Sequence, residues 1–94
     1  MRNKQKAAPN AHEKRHMDYV ASLGCVVCGR PGAIHHIMHM AGKARRRDHR
    51  YIVCLCHDHH QGDAGVHGLG SEAAFKRLYG IDLPVMATKL WVGE

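Results

Sequence analysis

The sequence has few aromatic residues and no long apolar run. Its 94 residues include one Trp, one Phe and three Tyr, against ten Gly. A chain of this length forms one domain at most, and a small core with few large side chains often needs a disulfide or a bound metal. We therefore expect a single crosslinked domain over residues 11–94, after a flexible basic tail over residues 1–10.

Signals for secretion and for membrane insertion are also missing. The first ten residues are polar and basic and contain no apolar stretch, unlike a signal peptide. No run of about 20 apolar residues occurs, so no membrane contact is predicted. We expect a cytoplasmic protein whose four cysteines are reduced and, beside ten histidines, bind metal instead of forming disulfides.

The charge is positive, with a formal net value of +6 at pH 7. Basic residues concentrate in residues 1–15 and 43–50. Such clusters attract polyanions, nucleic acid among them, but they also serve as solvated surface that keeps a protein soluble. Charge alone therefore permits a nucleic-acid partner without requiring one. The sequence gives no indication of the oligomeric state.

Three segments have the apolar periodicity of helices. They cover residues 11–23, 72–79 and about 84–91, with Gly24 ending the first and Ser71 capping the second. The residues predicted to face inward are Met17, Val20, Ala21 and Leu23 in the first, Ala74, Phe75 and Leu78 in the second, and Met86 and Leu90 in the third. The order of helices and strands predicts an α+β domain.

Two strands are predicted between the first two of these helices. Residues 33–38 and 51–55 are apolar and β-branched, and they would pair as a hairpin with a long basic loop. A turn at residue 56 would lead into a short helix. The glycine-rich segment 62–70 is predicted to be a loop, and it lacks the spacing and the terminal Lys-Ser/Thr of a phosphate-binding P-loop.

Paired cysteines indicate a structural zinc site. Cys25 and Cys28 form a C-x-x-C pair, which is weak evidence alone because redox pairs share the spacing. Cys56 and His59 add a C-x-x-H pair that would close a tetrahedral Cys₃His site for Zn²⁺. Cys54 could replace His59, but a C-x-C chelate is cramped. We therefore predict that His59 is the ligand and that Cys54 is a small buried residue.

Together these motifs resemble the HNH endonucleases, also called ββα-metal or His-Me finger nucleases. The resemblance rests on C-x-x-C, on His-His-Ile at residues 35–37, on a loop histidine and on C-x-x-H-H at residues 56–60. More narrowly, residues 55–62 and 75–80 are similar to the phage recombination-enhancement nucleases that depend on RecA. The resemblance implies a small ββα-metal core with a structural zinc knuckle and flanking N- and C-terminal helices.

The same resemblance implies roles for four histidines. His36 occupies the general-base position, and His49 the middle position of the triad, where it would orient His36. His60 takes a metal-binding position on the helix, and His35 stands where many members carry a metal-binding Asp. His67 has no firm counterpart and is a candidate third ligand. On a strand, His35 and His36 point to opposite faces unless twist or a bulge brings both toward one cleft.

The resemblance also implies a metal-dependent DNA endonuclease of phage or prophage origin, linked to recombination and acting with a RecA-like filament. Imidazole ligands suit Mn²⁺, Ni²⁺ or Zn²⁺, whereas Mg²⁺ prefers oxygen and is the least favoured candidate. Arg45, Arg46 and Arg47 would contact DNA phosphates without reading sequence.

Two other interpretations compete with the nuclease. A non-catalytic zinc module that binds nucleic acid would use the Cys₃His site and the basic loop, but it would not need His36, His49 or His60. A thiol redox protein would use the first two cysteines and leave the histidines unexplained.

Overall fold

A two-stranded antiparallel sheet packed against helices forms the fold in the computed structural model, which describes residues 8–38 and 48–93. The elements in these ranges are α1 Ala11–Ser22, β1 Ala33–His36, β2 Ile52–Leu55, α2 His57–His60, α3 Val66–Leu69, α4 Glu72–Tyr79 and α5 Leu83–Gly93. This mixed architecture agrees with the predicted α+β class. None of the described helices has the length and apolar character to cross a membrane.

Strand β2 lies at the centre of the fold. All four of its side chains are fully buried, and they alternate between two apolar cores. Ile52 and Cys54 pack with Val20 of α1. Val53 and Leu55 pack on the other face with residues of α3, α4 and α5. One face of this short strand therefore packs mainly against α1 and the other against α3 and α4, while Leu90 of α5 contacts both cores.

The pairing of β1 with β2 places the two adjacent histidines. The register sets Ala33 opposite Leu55, Ile34 opposite Cys54, His35 opposite Val53 and His36 opposite Ile52. Opposed residues of an antiparallel pair project from the same face. His35 therefore lies on the face that carries α4, whereas His36 lies on the face of α1. The pairing continues without a bulge through His36, so the two side chains leave the strand on opposite faces.

The buried face of α1 differs in part from the predicted one. Val20 is fully buried and Met17 is half-buried, as predicted, but Ala21 and Leu23 are exposed. His16, one turn before Val20, is fully buried instead. Its ring meets the edge of Trp91 at a centroid distance of 4.9 Å. An aromatic neighbour from α5 thus packs against this face at a position where the sequence has no apolar residue.

Helix α4 also departs from its predicted inner face. Phe75 is fully buried, but Leu78 is 56% exposed, so the prediction that it faces inward is wrong. The buried face runs through Glu72 and Phe75 to Tyr79, whose ring packs on Phe75 at 4.6 Å between centroids. Leu78 lies about 100° around the helix from Tyr79 and faces solvent.

Helix α3 occupies the segment that was predicted to be a loop. Its four residues follow a tight path in which glycines approach other backbone closely. A Cβ at Gly65 would lie 2.7 Å from the carbonyl oxygen of Asp58, and one at Gly68 would lie 2.2 Å from that of Gly62. The glycines allow close packing between α2 and α3, and so they permit a turn of helix where composition favoured a loop.

The turn around Cys25 and Cys28 contains two residues in the left-handed region. Gly24 and Gly29 both have a φ of +80°. A Cβ at Gly24 would lie 2.4 Å from the carbonyl oxygen of Gly29, whereas a Cβ at Gly29 would meet nothing within 4 Å. The two glycines thus share a backbone conformation but differ in the space around them.

We expect Gly24→Ala to destabilise the protein more than Gly29→Ala. Each replacement carries the strain of a left-handed residue, about 1–2 kcal/mol, and Gly24→Ala adds a clash with fixed backbone. Chemical denaturation of both variants measures the difference. Equal losses in the free energy of unfolding would show that the turn relaxes around the added methyl group.

Candidate metal centres

Three thiols and one imidazole meet at the start of α2. The ligand atoms of Cys25, Cys28, Cys56 and His59 all lie within 4.8 Å of one another. Nδ1 of His59 is 3.2 Å from Sγ of Cys56 and 3.6 Å from Sγ of Cys25, and the Sγ atoms of Cys28 and Cys56 are 3.7 Å apart. The structure thus brings together the four residues that the spacing predicted as ligands.

These separations fit a tetrahedral zinc ion. Bonds of about 2.3 Å to sulfur and about 2.0 Å to nitrogen place neighbouring ligand atoms roughly 3.5–3.8 Å apart, within a few tenths of an ångström of the distances found here. Cys54 is not a member of this cluster and is fully buried in the core beside α1. Burial raises the pKa of the Cys54 thiol, which favours its protonated form. The four clustered residues are positioned to bind a metal, and zinc suits their chemistry.

Two local structures hold the ligands. Two backbone hydrogen bonds of 2.8 Å close the turn that carries Cys25. The Cys25 N–H donates to the Arg30 carbonyl, and the Cys25 carbonyl accepts from the Gly29 N–H. Cys56 occupies the N-cap of α2, and His59 follows three residues later. One turn of helix brings positions three apart to the same side, so this short helix is enough to pair them.

Arg30 lies beside the thiols. Its Nε is 3.3 Å from Sγ of Cys28, and its Nη2 is 3.5 Å from Sγ of Cys56 and 3.3 Å from Oδ2 of Asp58. The Arg30 hydrogen bond is the main reason that the pKa of Cys28 falls to about 6. Since the thiolate is the form that binds metal, Arg30 prepares Cys28 to act as a ligand at neutral pH.

Three histidines form a second cluster, on the face of the sheet that carries α4. Nδ1 of His35 is 3.2 Å from Nε2 of His60, and Nε2 of His67 is 3.1 Å from the same atom. Zinc–nitrogen bonds of about 2.0–2.1 Å correspond to nitrogen separations of roughly 3.3–3.4 Å in a tetrahedron. The three rings, from β1, α2 and α3, therefore fit one divalent ion with an open fourth position.

The central ring of this cluster is neutral at physiological pH. Partial burial, together with smaller effects of the neighbouring His35 and His67, lowers the pKa of His60 to about 4. Metal ions compete with protons for an imidazole lone pair, so a low pKa leaves His60 ready to bind a metal over a wide pH range.

A buried carboxylate that was not among the predicted site residues lies behind the cluster. Oε2 of Glu72 lies 2.9 Å from Nε2 of His35 and accepts the backbone N–H of Met38 at 2.8 Å. Glu72 is 5% exposed. A glutamate after a capping serine is common in the first turn of a helix, so this pattern alone does not predict a site residue. Glu72 lies three residues before Phe75 and therefore on the same face of the helix. This spacing could have predicted that Glu72 is buried.

The predicted general base lies on the other face of β1. Nε2 of His36 is 3.1 Å from Nδ1 of His49, so the structure pairs the base with its predicted orienting partner. The predicted phosphate contacts, Arg45, Arg46 and Arg47, lie outside the described residues.

Comparison with protein families gives an assignment. Residues 9–88 match the family described as recombination enhancement, RecA-dependent nuclease. The chain belongs to this family. No curated protein and no solved structure matches it. The family name indicates an enzyme that cleaves phosphodiester bonds in nucleic acid and works in recombination with RecA.

For a member of the RecA-dependent nuclease family, the position of the match is informative. The matched range contains all the residues of both clusters, together with Glu72 and the His36–His49 pair.

In this RecA-dependent nuclease we expect Cys56→Ala to abolish metal binding at the Cys₃His cluster and Cys54→Ala to preserve it. Cys56 contributes a ligand atom, whereas Cys54 only fills the core. With Co²⁺ replacing zinc, the thiolate-to-cobalt charge-transfer absorption reports this cluster alone, because the second cluster has no thiol. Loss of that absorption in Cys54→Ala, with retention in Cys56→Ala, would reverse the two assignments.

Proposed function

We propose that the protein is a metal-dependent DNA endonuclease of the ββα-metal (HNH) type, with His36 as its general base. The observation that carries the proposal is the three-histidine cluster in a chain of a nuclease family. Its member His35 is adjacent on β1 to His36, which contacts His49. A module that only binds nucleic acid has no need for such a cluster.

The order of elements supports the ββα-metal assignment. Strands β1 and β2 form an antiparallel pair, and α2 follows directly. His35 comes from the first strand and His60 from the helix, and the two rings meet across the hairpin and helix. The domain would extend over residues 11–94, with the tail 1–10 outside it.

The three imidazoles would hold the catalytic ion. A divalent cation bound there supplies positive charge that stabilises the negative charge developing on the phosphate oxygens. Because all three protein ligands are nitrogen, we favour Zn²⁺, Ni²⁺ or Mn²⁺ over Mg²⁺.

His36 would take a proton from water as the water oxygen forms a bond to phosphorus and the bond to the leaving 3′ oxygen breaks. A neutral imidazole is suited to this role near pH 7. His49, 3.1 Å from the His36 ring, would hold it in place and share the positive charge that the base acquires. The scissile phosphate would lie at the end of β1. There it could contact both the ion on the His35 face and the base on the His36 face of this edge strand.

The family name supports a proposal for the substrate and the partner. We propose that DNA is cleaved in the presence of a RecA-like filament and that residues Arg45, Arg46 and Arg47 contact its phosphates. A phage or prophage origin rests on sequence resemblance alone.

We expect His36→Ala to lower the rate of DNA cleavage about 100–10,000-fold, which is the usual contribution of a general base, with little change in KM for DNA. Nicking of plasmid DNA is measured with Mn²⁺, Ni²⁺, Zn²⁺ or Mg²⁺, alone and with a RecA filament. The control is His57→Ala, since His57 is exposed on α2 and belongs to neither cluster.

Equal cleavage by wild type and His36→Ala would reject His36 as the base. Absence of cleavage with every metal, with and without RecA, would favour the binding module.

A further inference from the structure

The carboxylate of Glu72 lies where it can control a metal ligand. It is the first residue of α4, is almost fully buried, and has its Oε2 2.9 Å from Nε2 of His35. Burying a carboxylate is costly unless hydrogen bonds compensate it. The hydrogen bond between Glu72 and His35 therefore helps to offset the free-energy cost of burying this carboxylate.

The direction of this hydrogen bond can be inferred from a second donor. The same oxygen accepts the backbone N–H of Met38 at 2.8 Å, as expected of a carboxylate. The N-terminal end of a helix also favours negative charge, and Ser71 caps α4 by accepting from Ala74 N–H at 3.0 Å. With Glu72 as the acceptor, Nε2 of His35 must carry the proton and donate it.

A proton on Nε2 leaves the lone pair of the neutral His35 ring on Nδ1. That is the nitrogen which faces His60, at 3.2 Å from its Nε2, and which belongs to the three-histidine cluster. A carboxylate behind a ligating histidine fixes the tautomer and orientation of the ring and makes its other nitrogen a stronger ligand.

We propose that Glu72 is a positioning residue that holds His35 in the Nδ1-ligating tautomer and so sets the metal affinity of the three-histidine cluster. This inference rests on the metal site of the proposed function. A purely structural role, in which Glu72 accepts the Met38 N–H and lies at the N-terminal end of α4, would need no contact with His35. The two roles therefore predict different effects when the charge of Glu72 is removed.

Glu72→Gln separates these roles, because it keeps the size and an acceptor oxygen but removes the charge. We expect its affinity for Co²⁺ at the histidine cluster to fall about 10-fold or more. The probe is cobalt(II) ion, titrated into protein whose Cys₃His cluster already holds zinc, and its visible absorption reports binding. In cleavage assays the metal concentration for half-maximal rate should rise by a similar factor, with KM for DNA unchanged.

The matched control is Ser71→Ala, which removes the cap of the same helix without touching His35. Loss of an N-cap lowers the melting temperature of a small domain by about 4–8 °C, and we expect this with wild-type Co²⁺ affinity. Glu72→Gln should show the opposite result, a weaker affinity for Co²⁺ with a melting temperature close to that of wild type. Wild-type affinity and an unchanged cobalt spectrum in Glu72→Gln would overturn the proposal while leaving the nuclease assignment intact.

Nitrogen NMR of the wild-type imidazoles gives a test that needs no variant. We expect the proton of His35 on Nε2, and a proton on Nδ1 in the metal-free cluster would refute the proposal. If wild type binds no Co²⁺ beyond the zinc of the Cys₃His cluster, the histidine metal site itself is wrong, and this inference fails with it.

Discussion

Both candidate sites depend on the burial of β2 on its two faces. Each face of this strand packs against its own apolar core, so the strand can neither rotate nor slip without exposing side chains worth about 1.5–3 kcal/mol each. Its register with β1 in turn decides which histidine faces which helices. A shift of one residue would exchange His35 and His36 between the faces and separate His35 from both His60 and Glu72.

The two clusters differ in how their charges balance. With a divalent ion bound, three thiolates would leave the first site with about one negative charge beside Arg30 and with four protein ligands. The second would combine the ion with neutral rings and one buried carboxylate, leaving positive charge and an open position. The first arrangement suits a structural ion, and the second suits an ion that receives an anionic phosphate.

The spacing of residues in the sequence predicted the metal ligands whose positions depend on local backbone geometry. The C-x-x-C and C-x-x-H pairs each close within a single turn, so their ligands could be named without the fold. The helix faces were less well predicted: Leu78 is exposed and His16 is buried, because partners distant in sequence, such as Trp91, decide which neighbouring position turns inward. Glu72 was missed for the same reason, since its role comes from a strand 37 residues earlier.

The single turn of α2 carries adjacent ligands of both clusters, His59 for the first and His60 for the second. An ion that orders His59 therefore also orders the backbone from which His60 reaches the other centre. Two binding equilibria that share one ordering step are thermodynamically linked, and the coupling free energy is the same in either direction. Occupancy of the thiolate centre would then change the affinity of the histidine centre for its ion, although the two sites share no ligand.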